Sequence, residues 1–165
     1  MTSILRGIGA LFLYAAVASQ AMADAGASPA GIANGFVDAL RQQRFDDAAA
    51  MFSPETKREG SAWADDLRRL GAELGGFSTM RPVATLPQGR SMRLEIPAEH
   101  GSPTSGRRFV QLRYAATAAD GQAVFYELNL SADEQPRLLS LALHLPTPDA
   151  PSAQRARALL DRLKR

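Results

Sequence analysis

The chain has 165 residues, no cysteine, and 19 basic against 17 acidic side chains. That length supports one domain with a self-sufficient core, while the missing thiols exclude a disulfide framework, a cysteine nucleophile and cysteine-ligated zinc. Acidic excess over 24–76, near balance over 77–146 and a markedly basic 147–165 leave no basic stripe over a folded body, so no nucleic-acid partner is expected.

Residues 1–23 read as a leader: Arg6, an apolar run from Gly7 to Ala18, and the small-x-small triplet Ala21-Met22-Ala23 before Asp24. This is the pattern of a secretory signal peptide cleaved after Ala23, which places the remainder in the periplasm or outside the cell. The run is shorter than the roughly 20 apolar residues that span a bilayer.

Ser28-Pro29 pairs an N-cap with a first-turn proline, and Ile32, Ala33, Phe36, Val37 and Leu40 follow at helical spacing. Phe45, Ala48, Ala49 and Phe52 continue the period as a short second helix that Ser53-Pro54 ends. A third helix is expected with Ser61 as its cap, Trp63, Leu67, Leu70 and Leu74 as its buried stripe, and Gly75-Gly76 as its stop. Then the period changes to two. Phe77–Leu86 and Met92–Ile96 are expected strands joined by a Pro87-Gln88-Gly89 turn, and 97–107 is a Gly/Pro-rich loop.

Three further strands follow, at 109–117, 123–130 and 138–145. Parity decides the first hairpin, because cross-strand partners share a face. A two-residue loop would oppose Leu112 to Asn129. A three-residue loop, Ala119-Asp120-Gly121 with Gly121 left-handed, pairs Val110 with Leu130, Leu112 with Leu128, Tyr114 with Tyr126, and on the other face Arg113 with Glu127. The last strand presents Leu139, Leu141, Leu143 and Leu145 inward, and Ser140, Ala142 and His144 outward. Pro146, Pro148 and Pro151 then form a linker to a basic helix capped by Ser152, with Ala156, Leu159, Leu160 and Leu163 as its apolar stripe. The expectation is an α+β domain over 24–146, N-terminal helices packed on one face of a curved antiparallel sheet, with 147–165 appended.

This order resembles the nuclear transport factor 2-like (cystatin-like) superfold. The residues that carry the likeness are Ala33-x-x-Phe36-x-x-x-Leu40 and Arg44-Phe45-x-x-Ala48 through Phe52-Ser53-Pro54-Glu55, similar to the opening of exported bacterial domains of unknown function. The resemblance implies a cone of sheet around helices. In its catalytic members an acid or histidine base sits inside the cone, and many members dimerise through the open sheet face.

Here the inward strand positions are aliphatic or tyrosine, so no catalytic residue and no cofactor is expected, and the reading is an exported non-enzymatic module, with a small isomerase- or cyclase-type enzyme with an apolar pocket as the alternative. Phe36, Trp63, Phe77, Tyr114 and Tyr126 are candidates to line a pocket for a small apolar ligand, though core packing alone accounts for rings at these spacings. Phe109, Arg113, Phe125 and Glu127 are interface candidates, for a homodimer or an envelope protein partner. His100 and His144 read as two solvated imidazoles rather than metal ligands, and Ser53, Ser61 and Ser105 lack a nucleophile context. The basic helix has no Trp or Phe on its stripe, so it is expected to dock on its own domain or fray rather than lie on a membrane.

Overall fold

The computed structural model describes residues 28–56, 60–96 and 106–163; the leader, Glu99, His100 and Ser105 lie outside these. Helix α1 spans Pro29–Arg41, and the Ser28 hydroxyl oxygen accepts the Gly31 N–H at 3.0 Å as its cap. Its buried side chains Ala33, Phe36, Val37, Ala39 and Leu40 form the stripe that the spacing predicts. Gln43, at φ 57°, turns the chain into α2, Phe45–Ala50. A 3-10 turn at Pro54–Thr56 precedes α3, Gly60–Leu74. Ser61 therefore lies inside the first turn of α3 rather than capping it, a two-residue displacement of the kind helix starts commonly show. The stop is as expected: Gly75 adopts φ 77° and Gly76 N–H reaches back to the Gly71 carbonyl at 2.8 Å, a Schellman closure.

The sheet has five antiparallel strands: β1 Arg81–Pro82, β2 Ser91–Ile96, β3 Phe109–Thr117, β4 Ala123–Ser131 and β5 Leu138–Pro146. Their spatial order is β1-β3-β4-β5-β2. The β3–β4 register is the one that parity selects, with Val110, Leu112, Arg113 and Tyr114 opposite Leu130, Leu128, Glu127 and Tyr126. Ala118 N–H bonds to Gln122 O at 2.8 Å, and Gly121 at φ 81° completes the three-residue loop.

Three expectations are corrected. Phe77–Leu86 is not a strand: Met80 N–H closes a turn onto Phe77 O at 3.0 Å, and only Arg81 and Pro82 join the sheet. Phe77 and Met80 are instead buried anchors of that turn. β1 and β2 are not a hairpin either, because β1 pairs with β3 and β2 with β5 at the opposite edge. Finally, a register shift between Asn129 and Leu130 gives Leu138 the inward place opposite Leu130. Leu139 is buried but stands outside the main apolar cluster, since a bulge inverts the alternation behind it.

The three N-terminal helices lie before the sheet in sequence, and α1 packs against β3 and β4. Between helices and sheet sits one apolar cluster that includes Phe36, Leu40, Trp63, Leu70, Tyr126, Leu128 and Leu141. The chain leaving α2 also joins the sheet directly: Ser53 N–H donates to Leu138 O at 2.7 Å and Leu138 N–H to Met51 O at 3.0 Å. The last helix, α4, spans Ala150–Leu163 and docks against α3, β2 and β5, burying Ala156 and Leu159. Its cap is Asp149, whose carboxylate accepts the Ser152 N–H at 2.7 Å and is held below its ordinary pKa by the Ser152 hydrogen bonds. Ser152, expected in that role, sits one turn further in because an aspartate was already available before Ala150.

Candidate functional site

The five pocket candidates occupy the core. Phe36, Trp63, Phe77, Tyr114 and Tyr126 are all buried, and they pack on rings or leucines rather than around a common space. Phe52, whose spacing predicts only an apolar position of the second helix, lies just beyond α2 and joins two of them: it stacks on Trp63 at 3.7 Å between centroids and meets Phe36 edge-on at 5.7 Å. Phe77 and Tyr126 approach at 6.4 Å. The Tyr114 hydroxyl donates to Asn34 Oδ1 at 3.3 Å, whereas the Tyr126 hydroxyl is buried with no hydrogen-bond partner among the described residues. Burial raises the pKa of both phenols, so neither ionises near neutrality.

Two of the rings reach surface grooves, and the grooves are different ones. A groove of 430 Å³ runs between the ends of α1, α2 and α3, with Phe45, Arg68, Gly71 and Phe77 among its walls. Tyr114 lines another of 250 Å³ at the β3 edge, with Val83 and Leu112.

The interface candidates share the outer face, the one turned from the helices. Register puts Phe109 and Phe125 at opposite ends of it, with Arg113 and Glu127 between them. The ion pair expected there is not formed. Arg113 donates to Gln111 Oε1 at 2.7 Å and to Ala84 O at 3.4 Å, while Glu127 faces Arg93 at 3.6 Å and His144 Nε2 at 3.7 Å. Arg93 also pairs with Glu95 at 3.0 Å. Glu127 therefore turns toward β5 and β2 rather than toward Arg113 on β3, and the β5–β2 pairing sets Arg93 directly beside His144. Without that non-local pairing the sequence gives no sign that Arg93 is a neighbour.

Nor are Glu127 and His144 solvated. The carboxylate side chain is only 9% exposed and the imidazole 12%. Next to them Gln111 Nε2 donates to Asn129 Oδ1 at 3.1 Å and Asn129 Nδ2 to Ser140 Oγ at 2.9 Å, a polar row across β3, β4 and β5. Such a row fixes register, because a one-residue slip would strand each amide against an aliphatic neighbour.

Burial lowers the His144 pKa from its ordinary 6.5, more than the Glu127 carboxylate raises it; Arg93 lowers it further and Glu95 opposes. The unfolded chain then binds the proton more readily, so the stability due to this group is full above about pH 6.5 and is lost as pH falls below that value. We expect the melting temperature to drop between pH 7 and pH 5 more steeply for the wild type than for His144→Asn, measured by circular dichroism; matching pH profiles would refute this.

Among the described residues no three His, Asp or Glu side chains are gathered as a metal ion would need. No helix there is long and apolar enough to cross a membrane. No family model matches the chain, and no curated protein or solved structure does either.

Proposed function

We propose that the chain is an exported, non-enzymatic binding module of the nuclear transport factor 2-like kind, acting through its surface on a protein partner in the cell envelope. The leader at 1–23 and the order of helices before an antiparallel sheet support the compartment and the kinship. One observation carries the functional part: the side of the sheet that faces the helices is filled by packed aliphatic and aromatic side chains. The buried carboxylate, Glu127, stands on the opposite face. Proton transfer needs a titratable group within about 3 Å of a bound substrate, and the packed interior holds neither the group nor the room. The Glu127–His144 pair is not such a site. Both are shielded residues on the outer face of the sheet, held by neighbouring charges, and neither lines the 430 Å³ or the 250 Å³ groove.

The test is photo-cross-linking in intact cells that express the full chain. A photoreactive phenylalanine at Phe125 is expected to give a discrete adduct with an envelope protein, and the same group at Gln88, in the exposed turn before β2, none. The recovered protein should begin at Asp24. Absence of any adduct from Phe125 and Arg113 together, or recovery of uncleaved chain from the cytoplasm, would refute the reading.

A further inference from the structure

We propose that the chain pairs with a second copy of itself along the open edge of β3, antiparallel, about a two-fold axis at Phe109. β1 covers β3 only at Tyr114 and Ala115. Past it, Val83 N–H donates to Arg113 O at 2.9 Å; at the other end Thr79 Oγ1 takes the Thr117 N–H at 3.0 Å and bonds Thr117 O at 3.2 Å. These contacts show that odd-numbered residues of β3 aim their main-chain groups away from β4. By strand alternation Phe109 and Gln111 aim theirs the same way, and among the described residues nothing meets them. The edge is closed from Arg113 to Thr117 and open before it.

The open stretch, Phe109-Val110-Gln111-Leu112, carries no charge and no proline. Those are the devices that keep an edge from recruiting another strand. Phe109 is moreover 41% exposed, the one large hydrophobic side chain in that state among the described residues. An uncharged stretch offers nothing for an acidic or a basic segment to select. It does match itself.

Geometry chooses the axis. Centred on Gln111, the pairing would set Phe109 of the second copy against Arg113, whose carbonyl already serves Val83. Centred on Phe109, it sets Gln111 against Arg107 of the second copy, and Arg107 has its charge met by Glu55. The two Phe109 rings then lie side by side as a cross-strand aromatic pair, shielding each other from water.

The absence of cysteine makes the register directly readable. Directly opposed residues that exchange main-chain hydrogen bonds have Cα atoms about 5.5 Å apart, within the span a disulfide bridges. Phe109→Cys should therefore give a covalent dimer on mild oxidation, Gln111→Cys and Gln88→Cys alone should not, and a mixture of Arg107→Cys with Gln111→Cys should give the heterodimer. In sedimentation equilibrium the wild-type mass should rise toward that of a dimer with concentration, and Phe109→Asp, at an exposed site, should remain a folded monomer by circular dichroism. A wild type that stays monomeric at every concentration, or cross-linking as efficient through Gln88→Cys as through Phe109→Cys, overturns the proposal. Neither result touches the Phe125 cross-link, so this pairing and the binding role above fail separately.

Discussion

Replacing Trp63 by alanine should lower stability by about 3 to 5 kcal/mol, the range for deleting a fully buried large aromatic. The upper part of the range applies here. The indole stacks on Phe52 with 12° between the planes, and Phe52 in turn meets Phe36 at 88°. Phe52 cannot swing into the void, because the residues around it are tied to Leu138 by two main-chain hydrogen bonds. A cavity whose walls do not collapse costs its lining the lost dispersion contacts as well as the transfer term. Against a total stability of about 5 to 15 kcal/mol, such a loss brings the domain close to unfolding at growth temperature. Urea denaturation followed by far-ultraviolet circular dichroism is the measurement, since the chain has one tryptophan and its fluorescence leaves with it. Trp63→Phe, which keeps a ring on Phe52, should recover about half the loss, and Gln88→Ala, in the exposed turn before β2, should shift stability by less than about 0.5 kcal/mol. A Trp63→Ala midpoint equal to that of Gln88→Ala would refute this account of the core.

The second large effect is expected at Gly75, through backbone rather than volume. Its φ of 77° is a region that costs an L side chain about 1 to 2 kcal/mol. A Cβ placed there would stand 2.6 Å from Ala119 Cβ, with the Ala119 main chain directly behind. Ala119 N–H also donates to Leu74 O at 2.9 Å, so the β3–β4 loop satisfies one of the last carbonyls of α3 at the point of contact. Gly75→Ala must push that loop away and break the bond, adding about 1 to 3 kcal/mol of overpacking to the conformational cost. The two parts separate in a double mutant. Ala119→Gly in the Gly75→Ala background should recover the steric part and leave the conformational part, and a thermal melt of all three variants measures both. Additive losses would show that the close approach has no energetic content.

How far these features are legible in sequence differs by element. The β3–β4 register is legible because its evidence is local: two alternating strands, a glycine at the loop, and one parity that keeps apolar faces together. The Gly75 stop is legible for the same reason. The partner of β2 is not, because the 3.4 Å pitch of a strand says nothing about which neighbour it meets, and the pairing with β5 follows from topology. With that pairing hidden, the neighbours of Glu127 are hidden too, and Arg113, adjacent in register, is the natural but mistaken choice. Leu138 and Leu139 are chemically identical, so no hydrophobic pattern can tell which of them the bulge leaves facing the helices. The Phe77–Leu86 segment misleads because anchoring a turn with Phe77 and Met80 buries the same kinds of residue as a strand does. The free edge of β3 is legible only once β1 is known to be two residues long.

The ties from Met51 and Ser53 to Leu138 also set how the chain reaches this state. They join the helical layer to the last strand, and β2 must likewise wait for β5, so contacts of wide sequence separation complete an assembly that the β3–β4 and β4–β5 hairpins begin. Closing such loops consumes chain entropy before any packing returns it, which places folding between the fast helical bundles and the slow all-β topologies. The helices have only the β3–β4 hairpin to rest on until β5 emerges from residue 138, and the architecture is completed only as its C-terminal third arrives.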